Sequence, residues 1–261
     1  MSLMCVDQLI GNSLLEFKSA TMSLLASRAL QKRIDTKFVF HQDRLSGLLG
    51  LLQYSYAIVQ TQDMRIAKYK NLYFDTETYL FLREHHRDRR PRFKVRIRHH
   101  CDRSMSFAEV KKKSASDRTV KHRRAIPYEQ EDLSGLEGFI KEHCSVVGGT
   151  QLKPSLRTDF NRITLVGMET YERITIDTQL QCSDDVTNAS WGWSKGVIVE
   201  VKQERFSPRT PVMLALRSIK STALSISKYC TAASHLLPNI NMKLYRPKMR
   251  QIRNLVHDRA F

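Results

Sequence analysis

In Arg92-Phe-Lys-Val-Arg-Ile-Arg98, charge and apolar bulk alternate at every second residue. A period of two belongs to a β-strand, where residues i and i+2 share a face. Lys94, Arg96 and Arg98 therefore fall on one side, and Val95 and Ile97 on the other. The pattern recurs along the chain. Arg33, Asp35 and Lys37 share a face, as do Glu109, Lys111 and Lys113. So do Lys121 and Arg123, then Arg173 and Asp177. Glu200, Lys202 and Glu204 complete the series, with Val199 and Val201 opposite. The apolar faces need burial, and segments of helical periodicity can cover them. On the other side, like charges on neighbouring strands repel. Solvent alone accommodates one such face in many antiparallel sheets, but it does not explain Arg and Lys recurring strand after strand. A wall of strands around an enclosed anion does. The expected fold is α+β: an antiparallel eight-stranded closed β-barrel with a charged lumen, flanked by helices.

The remaining elements are read around these strands. Residues 3–31 carry apolar residues at helical spacing, and Asp43 is placed to cap a helix running to Leu52. Short strands are expected at Tyr69–Asp75 and Tyr79–His86. Three more fill residues 91–124, with turns near Asp102 and Ser116-Asp117. A helix is expected over residues 129–144, opened by Glu129, Glu131 and Asp132 at the positive end of its dipole. Gly148-Gly149 and Pro154 mark a loop. Strands Arg157–Val166 and Tyr171–Gln181 follow, joined through Gly167. A polar loop holding Trp191 and Trp193 precedes the strand Gly196–Glu204, and a long helical stretch runs from Pro211 to Leu236. The organisation expected is an N-terminal helical segment (1–32), one strand-rich domain (33–236) and a basic tail (237–261).

Charge narrows the partner. The 261 residues hold 43 Lys or Arg against 26 Asp or Glu, a net +17. Such an excess opposes the compact state unless an anion offsets it. Arginine suits phosphate because its planar fork binds oxygens in pairs and keeps its charge. Glu200 is the odd member of a basic face. A carboxylate there makes sense as a ligand for Mg²⁺ or Mn²⁺ bridging to phosphate oxygens. Nucleic acid is not expected, because the cations lie on strand faces and not along an exposed stripe or reading helix. The cysteines, Cys5, Cys101, Cys144, Cys182 and Cys230, are scattered and form no CxxC pair. They support neither a disulfide framework nor a zinc site, and suit a reducing, cytoplasmic setting. No secretory leader is visible. The apolar stretch Leu45–Val59 is too short and too polar to span a bilayer.

Taken in order, these segments resemble the VTC domain, the polyphosphate polymerase branch of the triphosphate tunnel (CYTH-like) enzymes, in the free-standing form that bacteria carry. Arg33-x-Asp-x-Lys37-Phe resembles the family's first tunnel strand, whose lysine reaches the phosphates. Leu72-Tyr-Phe-Asp75-Thr followed by Lys94-Val-Arg96-Ile-Arg98 is similar to its most recognisable block. Phe107-Ala-Glu-Val-Lys111 and Val120-Lys121-x-Arg123 come next. Arg157-x-x-Phe160-x-Arg162 resembles a segment in which a Tyr and an Arg contact phosphate, with Phe160 in the tyrosine's place. Arg173-Ile-Thr-Ile-Asp177, Val199-Glu200-Val-Lys202 and Ser227-Lys228-Tyr complete the set.

The resemblance implies a polymerase that moves the γ-phosphoryl of ATP onto a polyphosphate chain. It places Lys37, Arg96, Arg98, Lys111, Lys121, Arg162 and Lys202 at the reacting phosphates. Arg123, Arg173, Ser227 and Lys228 would hold the chain. Glu200 would hold Mn²⁺ or Mg²⁺, with Glu109 and Asp177 as second choices. An inorganic triphosphatase acting on tripolyphosphate, or a polyphosphate-binding module without turnover, keeps the same residues. Other chemistries lack their motifs: there is no GxxxxGK[ST] loop, GxSxG elbow or HExxH pair. On a strand, the pairs His85-His86 and His99-His100 point to opposite faces and make poor metal sites. Arg87 to Arg90 read as a solvated hairpin tip.

Overall fold

The computed structural model describes residues 10–30, 32–116, 119–145 and 151–257. The expected turn residue Asp117, Gly148-Gly149, Cys5 and both ends of the helical segment expected at 3–31 lie outside these ranges; within them that segment is helical at residues 10–15 and again in a short helix, α1 (Met22–Ser27).

Ten strands form one antiparallel sheet: β1 (Ile34–His41), β2 (Tyr56–Ile58), β3 (Ala67–Asp75), β4 (Arg92–His100), β5 (Met105–Lys113), β6 (Thr119–Ile126), β7 (Lys153–Gly167), β8 (Glu172–Asp184), β9 (Ser190–Trp193) and β10 (Gly196–Gln203). Their order is β1-β10-β8-β7-β3-β4-β5-β6, with β2 added to β7 and β9 to β8. The α+β class and the antiparallel sheet are as expected. The closed barrel is not: β1 and β6 stand at opposite edges and do not pair.

Both edges explain why. Most of β6 is exposed, and it carries His122, Arg123 and Arg124 where a buried strand would need apolar side chains. The free edge of β1 is already taken. The Leu224 amide donates to the Lys37 carbonyl at 2.7 Å, Phe38 bridges Ala223, and Lys37 Nζ donates to the Ile226 carbonyl at 3.2 Å. The seam is thus covered by a strap of residues 219–227. This strap also corrects the long helix expected from Pro211 to Leu236. That stretch is two helices, α5 (Pro211–Ser218) and α6 (Lys228–Leu236), and Ser227 caps the second by accepting from the Cys230 amide.

Alternation places the core. On the convex side, Phe38 and Phe40, Ile174 and Ile176, and Val197, Val199 and Val201 pack with Leu45, Leu48, Leu49 and Leu52 of α2 (Leu45–Leu52) and with Val212 and Leu216 of α5. Beside them, Val95, Ile97 and Val110 pack with Phe81 of α3 (Leu80–His86) and Ile140 of α4 (Glu137–His143). Part of the concave side is filled by α6 and by α7 (Arg246–His257), through Tyr229, Ala233, Met249 and Ile252.

Three further expectations need correction. Tyr79–His86 is helix α3 and not a strand: the Asp75 carboxylate accepts from the amides of Thr76, Phe81 and Leu82, and Thr76 Oγ1 from that of Leu80. The helix over 129–144 contracts to α4, because residues 129–136 make turns that seat Leu136 in the core. The tryptophan loop forms β9 on the edge of β8.

Candidate functional site

The inward faces of the strands line a cavity of about 320 Å³. Its walls carry eleven Lys or Arg side chains against three carboxylates, Asp35, Asp177 and Glu200. Strand register brings them together. Lys94 pairs across with Lys111, and Lys111 with Lys121, giving three lysines side by side on β4, β5 and β6. On the opposite wall Lys37 faces Glu200 across β1 and β10, and Lys202 faces Arg173 across β10 and β8.

Nearly all the residues singled out in the sequence meet here. Lys37, Arg96, Arg98, Lys111, Lys121, Arg162, Arg173, Lys202, Ser227, Lys228, Glu200 and Asp177 line the cavity. Arg123 does not; its guanidinium lies over the Phe107 ring at 5.0 Å on the exposed strand β6. Glu109 shares the inward face of β5 with Lys111 but is buried beneath its partners, accepting from Arg96 Nε at 2.8 Å and from Lys121 Nζ at 2.9 Å. The site also includes Lys94, Tyr69 and Tyr73, which were not picked out as site residues. Lys94 could have been found, since it shares the inward face of Arg96 and Arg98. The tyrosines carry no such signal, as alternation marks charge and not aromatic rings.

The charges fall into two groups. Some are locked. Arg162 grips Asp177 with two bonds, at 2.5 and 2.7 Å, and Lys228 pairs with the same carboxylate. Burial pushes the Asp177 carboxyl up, but Arg162 and Lys228 outweigh it and hold it below the usual range. Glu109 behaves likewise: burial raises it, and Arg96, Arg98 and Lys121 together leave it well below an ordinary carboxylate. Others make no salt bridge. Among the described residues no carboxylate pairs with Lys94, Arg98, Lys111 or Arg173. Arg98 donates to Asn71 Oδ1 at 2.7 Å and lies over the Tyr69 ring at 5.3 Å. Burial, with Arg96 adding repulsion, pulls Arg98 down to about 10. Burial, then Lys37, pulls Lys111 down to about 8. Cations crowded into one recess without salt-bridge partners repel one another. Their concentration here fits a binding site for several linked anionic groups.

Phe160 has a structural task. Its ring receives Arg162 at 5.1 Å and Lys228 Nζ at 4.4 Å and stacks on Tyr69 at 5.5 Å. It holds two cations by their attraction to the ring face, where a tyrosine would add a hydroxyl.

The carboxylates differ in their fitness for a metal. Among the described residues no group of three His, Cys, Asp or Glu side chains could enclose a cation. Asp177 and Glu109 are saturated by their pairs. Glu200 contacts Lys202 and lies 3.6 Å from Lys37 Nζ, and it faces the cavity. It could hold a divalent cation only alongside phosphate oxygens and water, a donor set that Mg²⁺ accepts.

The family model of the VTC domain matches residues 32–237. No curated protein matches the chain. Among solved structures, a candidate adenylate cyclase from Bacillus halodurans superposes with a TM-score of 0.50 at 10% identity, over 75% of this chain and 94% of that one. A candidate adenylyl cyclase from Hippeastrum, described as having a dominant triphosphatase activity, gives 0.49 at 13% identity, over 81% and 99%. At such identity the first likeness bears on the fold alone, and the second adds nothing to it.

Proposed function

Because the chain belongs to the VTC domain family, we propose that its basic cavity binds a chain of phosphates and transfers the γ-phosphoryl of ATP to polyphosphate. The observation that supports this most is the row Lys94, Lys111 and Lys121 together with Arg98 and Arg173 in one cavity whose eleven cations outnumber its three carboxylates. Phosphoryl transfer needs positioning and charge neutralisation more than covalent help. Arg96, Arg98, Lys111, Lys121 and Arg162 would neutralise the reacting phosphates, with Lys37 and Lys202 across from them. Arg173, Ser227 and Lys228 would hold the rest of the chain. Glu200 would anchor Mn²⁺ or Mg²⁺, which supplies charge that bridges phosphate oxygens. In this reading residues 33–236 are the working unit. Among the described residues no helix is long and apolar enough to cross a membrane, and Cys101, Cys144, Cys182 and Cys230, which form no disulfide among the described residues, would suit a reducing cytoplasm.

One feature favours water as an alternative acceptor. The Lys121 side chain is 42% exposed at the unpaired edge of the sheet, so solvent reaches the lysine row there. Inorganic triphosphatase activity is therefore the second reading. Incubation with ATP and Mn²⁺ separates the two: chain growth on a gel supports transfer, and free phosphate alone supports hydrolysis. Tight binding of polyphosphate with neither product leaves a binding module.

A further inference from the structure

The site cavity is not alone on the concave side. A second cavity of about 690 Å³ shares Lys37, Lys94, Lys111 and Ser227 with it. Lys94 therefore stands where the two meet. Its setting is unusual for a half-buried ammonium. Nζ lies 3.1 Å from His85 Nε2 and donates to Ser227 Oγ at 3.0 Å, and both partners are uncharged. His85 is kept neutral by burial and then by Lys94, its pKa held well below the usual imidazole value. Among the described residues its buried Nδ1 has no hydrogen-bond partner. Most of the remaining groups facing Lys94 are cationic, Lys37 on β1, Arg92 and Arg96 on β4 and Lys111 on β5; the Cys230 thiol on α6 is raised by burial, and Asp35, which lines both cavities, is bonded to Arg33. Burial is the main influence on Lys94 and brings its pKa down to about 7. Its neighbours are better placed to stay charged: Glu200 opposes the shift at Lys111, and Asp177 that at Lys228.

Resting on the phosphate-chain reading, we propose that Lys94 is a proton-linked anion contact at the junction of the two cavities, taking up a proton as phosphate oxygens arrive beside it. The chemistry is acid–base only. A proton from solvent adds to the Lys94 amine, and the resulting ammonium donates to a phosphate oxygen while keeping Ser227 as a second acceptor. Ligand binding then carries a pH dependence set by this side chain. Affinity falls as pH rises through the lysine's pKa in the occupied site, because the bound state must hold a proton that the free state lacks.

The test is calorimetric titration of the full chain with tripolyphosphate at pH 8, in two buffers of different ionisation enthalpy. Proton exchange by the ligand itself is common to every variant and cancels in comparison. Wild type should take up roughly half a proton or more per ligand beyond Lys94→Met and beyond Lys94→Arg. Lys94→Met should lose affinity about tenfold, whereas Lys94→Arg, charged at every pH used, should bind within about threefold of wild type. A lysine that merely fills space would leave proton uptake the same in all three proteins, and that result would overturn the proposal while the phosphate-chain reading stood. Failure of the wild type to bind tripolyphosphate at all would overturn both. Melting curves identify any variant that does not fold, and either substitution alone still decides the point.

Discussion

Arg98 and Arg89 both belong to the arginine-rich run between Arg83 and Arg103, yet their surroundings separate them. Arg98 is half-buried in the cavity wall, donating to the neutral Asn71 amide oxygen. Arg89 is 62% exposed and lies 3.6 Å from Glu84. Arg98→Ala should weaken tripolyphosphate binding about 10- to 100-fold, since a charged contact in a desolvated site is lost. Arg89→Ala should change it less than about twofold. Titration of both variants checks this, and equal losses would move the site to the surface. Arg96 is a poorer choice, because its removal also strips a partner from the buried Glu109. Glu200→Gln is the residue-scale test of the metal. Turnover should fall by roughly two orders of magnitude or more. Metal-free tripolyphosphate affinity should hold or improve, because every cation remains and one repelling carboxylate is gone. Turnover surviving at ordinary metal concentrations would exclude Glu200 as the metal ligand.

Among the elements, α3 and the strap 219–227 decide how the cavity is built. The Asp75 carboxylate accepts from two backbone amides at the start of α3, from the Thr76 amide before it and from the Tyr229 hydroxyl of α6 at 2.8 Å. It thus ties the helix carrying His85 to the helix carrying Lys228. Asp75→Ala should destabilise the fold by about 3 kcal/mol or more, measured by denaturant unfolding, because several buried donors lose their acceptor. Much of the sheet is legible in the sequence, since inward charge and outward Val, Ile or Phe alternate through β1, β4, β8 and β10. Tyr79–His86 reads as a strand because the deciding contact, the Asp75 carboxylate, precedes it and acts through the backbone. The break at 219–227 carries no Gly or Pro to announce it. It forms because β1 has a free edge, and that edge depends on strand order. Strand order also explains why a closed barrel is the natural expectation from alternation: period two fixes which face is inward, not whether the two end strands meet. The cation side of the site follows from that period. The pairing of Glu109 and Asp177 with particular arginines does not, because it depends on register.

Over the whole molecule, a net charge of +17 gathered partly into one cavity makes stability depend on pH and on ligand. Lys94, Lys111 and Lys228 have folded-state pKa values lowered to about 7, 8 and 8, each mainly by burial. Between those values and the unfolded lysine range near ~10.4, the unfolded chain binds more protons than the folded one, so ligand-free stability gains from these groups as pH rises. The opposite sign holds in acid. Glu109 and Asp177 are depressed, so their contribution is present above the unfolded carboxylate range near ~4 and is lost as pH falls through their folded values. Melting temperature should therefore climb from pH 7 to about 9 and drop below about pH 4, and Lys94→Met should flatten the alkaline climb. The most direct measurement is the melting temperature of the ligand-free protein at pH 7 with and without saturating tripolyphosphate. If the cavity holds a phosphate chain, a hundredfold excess over Kd adds about 2.7 kcal/mol, and the midpoint should rise by roughly 5–10 °C. An unchanged midpoint at saturating tripolyphosphate would contradict a phosphate-binding cavity.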